Sequence, residues 1–295
     1  MAQQRQEIEA FVRRLIVEIE AAEAAGMTAP QAIAEHFNAK GVTTRKGRRW
    51  TGATVVKLLS SLSAKRYGSL GEGSRAAEPK GNPDKPSNAL DKAQLRHISE
   101  ATIGHYDRAA EDFWDGTRNH DVDQNYSALL DAIESDPPFS ILDLGCGPGR
   151  DLRHFRSLGH DAVGLDGAKK FVAMARLFSG CEVLHQDFLA MDLPESRFDG
   201  VFANASLFHV PSQELSRVLR ELAATLKPRG VLFCSNPRGD NEEGFSGDRY
   251  SCFFDLDTWR DYVTAAGFVE VRHYYRPPGL PRHKQPWLAT VWRKP

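Results

Sequence analysis

The sequence predicts an α/β fold with a Rossmann-like, seven-stranded sheet, preceded by a small all-helical domain. Two observations predict the sheet. Short apolar runs alternate with helical patterns from Ile141 onward, and the first run passes through a glycine turn straight into a helix. A third observation predicts the helical domain, because apolar residues before position 66 recur at spacings of three and four.

Composition places the chain among ordinary globular proteins. Its 295 residues, 41% hydrophobic and 26% charged, suffice for one α/β domain of about 200 residues and a smaller one. No apolar run approaches the roughly 18 residues that cross a bilayer, and the N-terminus lacks a signal-peptide core. We therefore expect a cytoplasmic protein without a membrane partner. The four cysteines have no C-x-x-C spacing, which favours reduced thiols and no metal site.

Residues 1–66 are the predicted helical module, and they are basic. They hold eleven Lys and Arg against six Glu, a net charge of +5. Three helical patterns follow one another, with the basic turn TTRKGRRW before the last. Residues 67–89 are rich in Gly, Pro and Ser and are predicted to be a flexible linker. Residues 90–295 form the predicted α/β domain.

Residues 30–62 resemble the small helix-turn-helix module of the large serine recombinases. The resemblance rests on Ile33, Ala34, Phe37, Asn38, Gly41, Thr44, Gly47, Trp50, Thr54, Val55 and Leu59. It implies DNA as a partner, with phosphate contacts from Arg45, Lys46, Arg48, Arg49 and Lys57 and base contacts from Thr51 and Thr54. The alternative is a solvated basic loop on an oligomerisation or interaction module.

The stretch Ile141–Phe155, ILDLGCGPGRDLRHF, is predicted to bind a nucleotide-type cofactor. Glycines allow positive φ and a close approach of the ligand, and the following helix offers unpaired N–H groups. The spacing is G-x-G-x-G and not the dinucleotide G-x-G-x-x-G, and Asp143 would repel a pyrophosphate but attract a cation. The alternative is a glycine turn in an ordinary α/β domain.

This stretch closely resembles motif I of the class I S-adenosylmethionine (SAM)-dependent methyltransferases. The resemblance rests on Leu142, Asp143, Gly145, Gly147 and Gly149, with Cys146 inside the motif. It implies SAM as cofactor and a mostly parallel sheet whose last strand is antiparallel. It also implies that Asp166, beside Gly167, accepts the ribose hydroxyls, and that Asp187 and Phe188 contact the adenine.

Other candidate residues follow from the same resemblance. The segment YDRAAEDFW resembles the family's lid over the cofactor, which makes lid candidates of Tyr106, Phe113, Trp114 and Arg118, with Arg118 as a partner for the methionyl carboxylate. The loop after the fourth strand offers Asn204, Ser206 and His209, with His209 as a candidate base. Weaker acceptor-site candidates are Tyr250, Asp255, Tyr274 and Tyr275. Core packing and structural roles are alternatives for Phe113, Trp114 and His209.

The predicted methyl acceptor is a small molecule. Residues Asn204–Leu207 lack the [DNS]-P-P-[YFW] motif of amino-methylating DNA enzymes, and no Pro-Cys dipeptide supplies a nucleophile for cytosine C5. Protein or nucleic-acid methylation stays an alternative, as does a SAM-responsive DNA-binding regulator without catalysis. The acceptor atom and the oligomeric state stay open.

Overall fold

The computed structural model describes residues 30–44, 47–52, 54–55 and 89–295, together with Leu15, Glu18, Ala22 and Met27. The chain divides into two compact units, residues 1–83 and 84–295. Arg45, Lys46, Lys57 and the linker segment 67–88 lie outside the described residues, and the predicted domain boundaries stay predictions.

The first unit packs a small apolar core around helix α1, Pro30–Ala39. Ile33 and Phe37 on α1 are buried, and the Phe37 ring meets Trp50 edge-on, with 5.1 Å between ring centroids. The Asn38 amide accepts from the Trp50 N–H and donates to the Trp50 carbonyl, both at 2.9 Å. These two hydrogen bonds fix the segment at Trp50, which leads into the next helical residues.

The second unit is built on a seven-stranded sheet with strand order β3-β2-β1-β4-β5-β9-β8. Its strands are β1 (Ser140–Leu144), β2 (Asp161–Asp166), β3 (Glu182–His185), β4 (Phe198–Asn204), β5 (Leu226–Pro237), β8 (Val269–Arg276) and β9 (Trp287–Arg293). The first five strands are mutually parallel, and β9 runs antiparallel to both β5 and β8. The predicted fold class is therefore confirmed.

Helices cover both faces of this sheet. They are α2 (Lys92–Arg108), α3 (Ala110–Thr117), α4 (Asp123–Leu130), α5 (Arg150–Ser157), α6 (Lys169–Ser179), α7 (Ser212–Thr225) and α8 (Leu256–Ala265). Helix α2 begins with a capping box, in which Asp91 and Gln94 each accept from the other's backbone N–H.

The alternation of side chains along β1 assigns each residue to one face. Leu142 and Leu144 belong to the core formed with α7 and α8, whereas Ile141 belongs to the core formed with α4, α5 and α6. The carboxyl ends of the parallel strands share one edge of the sheet, so the loops after β1, β2, β3 and β4 meet there.

The insertion after β5 forms a hairpin of β6 (Glu242–Ser246) and β7 (Arg249–Phe253). Charged and glycine residues on the exposed strand β6 hide the strand alternation.

Helices α7 and α8 begin at different kinds of cap. The N-cap of α8 is Asp255, whose carboxylate accepts from the Thr258 N–H. The N-cap of α7 is Pro211, and the hydroxyl of the next residue, Ser212, donates to Glu243.

Within the described residues, no helix is both long and apolar enough to span a membrane. The same residues hold no cluster of three or more His, Cys, Asp or Glu suited to a metal ion. All four cysteines are free thiols.

Candidate cofactor and acceptor site

The glycine turn after β1 has the backbone that the motif predicts. Gly145, Gly147 and Gly149 have φ values of 74°, 52° and 94°. A Cβ on Gly145 would lie 2.5 Å from Cβ of Ser206, and one on Gly149 would lie 2.8 Å from Cα of Ala175. Gly145 and Gly149 are therefore required both by their backbone conformation and by their close neighbours.

Asp166, at the end of β2, is anchored against this turn. Its carboxylate accepts from the Gly147 N–H at 3.0 Å and from the Ala168 N–H at 2.8 Å. Burial raises the pKa of Asp166 to about 6, against those hydrogen bonds, which lower it. Strand β2 and the turn thus hold the carboxylate predicted to meet the ribose hydroxyls.

Asp143 is a buried carboxyl group with an unused acceptor. Its Oδ2 has no hydrogen-bond partner among the described residues. Burial, and then repulsion from Asp151, raise the pKa of Asp143 well above its ordinary value, while Arg150 opposes the shift. A cation that came close to this oxygen would relieve both effects, as the sequence argument about Asp143 expects.

Asp187 and Phe188 lie at the end of β3, where the adenine contact is predicted. The Asp187 carboxylate accepts from the Leu189 N–H at 2.8 Å and from the Ser99 hydroxyl at 2.5 Å. The Phe188 ring lies over the turn, 3.2 Å from the Cβ position of Gly145. The ring and the carboxylate are thus next to the motif I glycines.

The lid candidate Tyr106 forms a half-buried chain of hydrogen bonds with His209 and the hairpin. The Tyr106 hydroxyl lies 2.7 Å from Nε2 of His209, and Nδ1 of His209 lies 2.7 Å from the Tyr250 carbonyl. Because a carbonyl only accepts, Nδ1 carries the imidazole proton and Nε2 accepts from Tyr106. Burial lowers the pKa of His209 to about 4 and raises the pKa of Tyr106. Both groups are therefore neutral near pH 7.

Asn204 is tied into a polar network on the α4 and α5 side of the sheet. It accepts from Nδ2 of Asn125 at 2.9 Å and donates to Asp151 at 3.3 Å. Tyr274 donates to Oδ1 of the same Asn125 at 2.9 Å, and Tyr126 donates to Asp151 at 2.6 Å. Asn204 and Tyr274 thus share one network, which secures the start of α5.

Helix α2, with α3 behind it, forms the lid directly over the turn. Phe113 lies 3.7 Å from the Cβ position of Gly147, and Ile103 lies 2.7 Å from that of Gly167. The Cys146 thiol is buried and points to the Gly147 carbonyl, at 3.6 Å. Phe113 and Ile103 thus cover the turns that follow β1 and β2.

Four other candidates lie elsewhere. Arg118 pairs with Asp115 at 3.3 Å and, with Trp114, lines a separate cavity of about 610 Å³. Asp255 is occupied as the cap of α8 and as the acceptor for Asn241. Tyr275 lies under the Arg282 guanidinium, beside β8.

In the first unit, Arg48 and Arg49 are exposed, as a phosphate contact requires. Thr51 and Thr54 bond to each other, because the Thr51 N–H donates to Oγ1 of Thr54 at 2.7 Å and the Thr54 N–H donates to Oγ1 of Thr51 at 3.3 Å. The two threonines thus cap the helical segment that follows Thr51, a use that the sequence analysis did not foresee.

Sequence reasoning missed Ser99 and Thr102 on α2. Ser99 donates to Asp187, and Oγ1 of Thr102 accepts from the Tyr250 N–H at 3.0 Å. A signal existed, because Ser99, Thr102 and Tyr106 recur at the three-and-four spacing of one helix face. The segment that resembles the family's lid begins at Tyr106, so the resemblance did not include Ser99 and Thr102.

The residues at this edge fit SAM. Two buried polar atoms, Oδ2 of Asp143 and Oγ of Ser206, have no partner among the described residues, and Gly145 keeps the turn open to a close approach. Asp166 and Asp187 are held at the ends of the next two strands. An ammonium, a ribose and an exocyclic amine each supply hydrogen-bond donors, which such acceptors require.

Comparisons with known proteins agree with this geometry. Residues 142–234 match the family described as methyltransferase domain. The match covers less than half of the chain and supports a methyltransferase domain in this part of the second unit, and SAM is confirmed as the predicted cofactor.

Relatives with curated descriptions include sterol enzymes. The chain is 29% identical over 164 residues to 24-methylenesterol C-methyltransferase 2 of Oryza sativa, covering 51% of this chain and 42% of that protein. It is 33% identical over 130 residues to sterol 24-C-methyltransferase of Yarrowia lipolytica, covering 41% and 32%. The aligned segments thus span less than half the length of these relatives.

A similar solved structure is 1,6-didemethyltoxoflavin-N1-methyltransferase of Burkholderia thailandensis, with its acceptor and S-adenosylhomocysteine bound. The TM-score is 0.57 at 23% identity, covering 74% of this chain and 99% of that one. At this identity the likeness establishes the fold.

Proposed function

We propose that the protein is a SAM-dependent methyltransferase that acts on a small molecule. One observation carries the choice of acceptor: hydrogen bonds from Tyr106 through His209 to the Tyr250 carbonyl link the lid, the β4 loop and the hairpin to one another. An acceptor has to fit beneath these elements, which favours a small molecule over a folded macromolecule.

SAM supplies a methyl group on a sulfonium, which is already a good leaving group. The protein then mainly aligns the acceptor with that methyl and excludes water. Asp166 would hold the ribose, Asp187 and Phe188 the adenine, and Asp143 the charged methionyl end. Arg118 is the predicted partner of the methionyl carboxylate.

The main role that we assign to His209 is to orient the Tyr106 hydroxyl, and its lesser role is to accept a proton. Its neutral Nε2 fixes the Tyr106 hydroxyl, and a pKa near 4 makes it a weak base. We assign to Tyr106 and His209 the positioning of an acceptor group that carries a proton. As that group is methylated, its proton would pass to the Tyr106 oxygen while the Tyr106 hydroxyl proton passes to Nε2 of His209.

Titration calorimetry of the full chain with S-adenosylhomocysteine tests the cofactor site. Replacing Asp166 with Ala should weaken binding about 10- to 100-fold, since a charge-assisted hydrogen bond contributes roughly 1.5 to 3 kcal/mol. Asp161→Ala is the matched control, because Asp161 is an exposed carboxylate at the start of the same strand. No binding by folded protein would rule out the cofactor assignment.

The acceptor class is tested with SAM that carries a labelled methyl group. Label should appear in the low-mass fraction of a metabolite extract and not in added DNA or protein. Label found only in macromolecules would contradict the small-molecule acceptor. Binding of SAM without transfer to any fraction, but with a changed affinity for DNA, would support the regulator instead.

For the first unit, we propose DNA binding through Arg48 and Arg49, without a role in methyl transfer. Their exposure beside the capped segment at Thr51 supports this role. An exposed basic turn would also suit a solvated interaction module. A measurement of DNA affinity distinguishes the two roles. We further propose that the protein acts in the cytoplasm.

A further inference from the structure

A cavity of about 610 Å³ on the second unit lies beside the first turns of α5, the helix that follows the glycine turn. It is bounded by α3, α4, α5, the end of α6 and the loop between α3 and α4. Its lining residues do not include Asp166, Asp187 or His209. Its volume falls within the roughly 300 to 1,000 Å³ of small-molecule sites.

Aromatic rings form its walls. The Trp114 and Phe178 rings meet edge-on, with 4.8 Å between centroids. His154 stacks on the buried Tyr126 ring at 3.8 Å and an interplanar angle of 12°. Burial lowers the pKa of His154, so its imidazole is neutral near pH 7 and presents a flat surface to the cavity. Such walls favour a planar ligand.

The charges on the lining favour an anion. Among the described lining residues, three are arginines and one, Asp123, is a carboxylate. Arg150 is committed to Asp151 at 2.6 Å. Arg118 makes only a half-exposed ion pair with Asp115, and the Arg153 guanidinium lies 4.6 Å from the centroid of the Phe178 ring. Two arginines can thus turn to a carboxylate, whose two oxygens match the guanidinium fork.

We propose that this cavity binds a small aromatic acid, with its carboxylate held by Arg118 and Arg153 and its ring against the aromatic walls. The lining of the cavity includes none of the residues Gly145–Gly149, and the proposal does not depend on methyl transfer. The sequence also made Arg118 a partner of the methionyl carboxylate, so the test has to distinguish the two ligands.

The test is titration calorimetry of the full chain with 1-naphthoate, with 1-naphthalenemethanol as the neutral analogue. We expect 1-naphthoate to bind at least tenfold more tightly than the alcohol. Arg153→Gln should weaken 1-naphthoate binding about tenfold, and Arg118→Gln should weaken it similarly. Both side chains are partly or largely exposed, so the variants should fold. Arg220→Gln, an exposed arginine on α7, should leave the affinity unchanged.

Saturating S-adenosylhomocysteine should not change the affinity for 1-naphthoate. Competition would overturn the separate site and assign the cavity to the cofactor. Equal binding of acid and alcohol, or equal weakening by Arg220→Gln, would overturn recognition of an anion by this cavity. If S-adenosylhomocysteine does not bind at all, the proposed function fails but the aromatic-acid site does not. The two proposals can therefore fail independently.

Discussion

Replacing His209 with Gln should remove a specific pH dependence from the stability of the second unit. Glutamine keeps one donor for the Tyr250 carbonyl and one acceptor for the Tyr106 hydroxyl, but it gains no proton as the pH falls. His209 is buried, and burial lowers its pKa from 6.5 to about 4. The folded state therefore binds fewer protons at this residue than the unfolded state does.

The size of the effect follows from these two pKa values. The stabilisation is complete above pH 6.5 and is lost as the pH falls toward 4. Linkage gives a loss of about 2 kcal/mol at pH 5 relative to pH 8, and a limit of about 3 kcal/mol at lower pH. Other titrating groups are common to both proteins. Burial raises the pKa of Asp166 to about 6, so this residue changes the stability in the opposite direction. Its effect is the same in the native protein and in the variant and cancels from the difference between their free energies of unfolding.

Urea unfolding of the native protein and of His209→Gln, followed by tryptophan fluorescence between pH 5 and 8, measures this difference. The gap in free energy of unfolding between the two proteins should shift by about 2 kcal/mol across that range, in favour of the variant at low pH. A gap that stays constant with pH would refute the claim that His209 is buried and neutral. Identical m-values would show that both proteins lose the same structure.

Two further predictions concern a glycine and the basic turn. Gly149→Ala should destabilise the second unit by about 2 to 4 kcal/mol in urea unfolding, because its φ is 94° and its Cβ would meet the Ala175 backbone, whereas Gly159→Ala, with positive φ but open space, should cost about 1 to 2 kcal/mol. Equal losses would show that the contact with Ala175 is unimportant. Changing Arg48 and Arg49 to Ala should lower the salt dependence of DNA binding by roughly two in the slope of log K against log salt. An unchanged slope would mean that neither arginine contacts phosphate.

The sheet could be predicted because its signals are local. Each parallel strand is a short apolar run. The turn at Gly145 to Gly149 requires glycine because of its positive φ angles, and the glycines are visible in the sequence. Asp166 and Asp187 could be placed for the same reason, since each ends a strand whose carboxyl end lies at the shared edge. Strand β6 could not be predicted from the sequence, because it is mostly exposed to solvent and lacks an alternating apolar pattern.

Side-chain partners across the fold could not be predicted in this way. His209 was identified as a loop residue, but its bond to Tyr106 spans 103 positions of sequence. The cofactor contact predicted for Asn204 stays a prediction, and the structure pairs its side chain with Asn125 on α4, 79 positions away in sequence. Such contacts depend on which face of each element is buried, and that is decided by packing of the whole domain.

Helix α2 connects the cofactor and acceptor parts of the site. From one face, Ser99 bonds to Asp187 at the adenine end, and Tyr106 bonds to His209 at the acceptor end. Thr102, between them, accepts from the hairpin. Because an α-helix is stiff over two turns, a displacement of Ile103 by a cofactor would also move Tyr106 relative to His209. We therefore expect the orientation of the proposed acceptor to depend on whether the cofactor is bound.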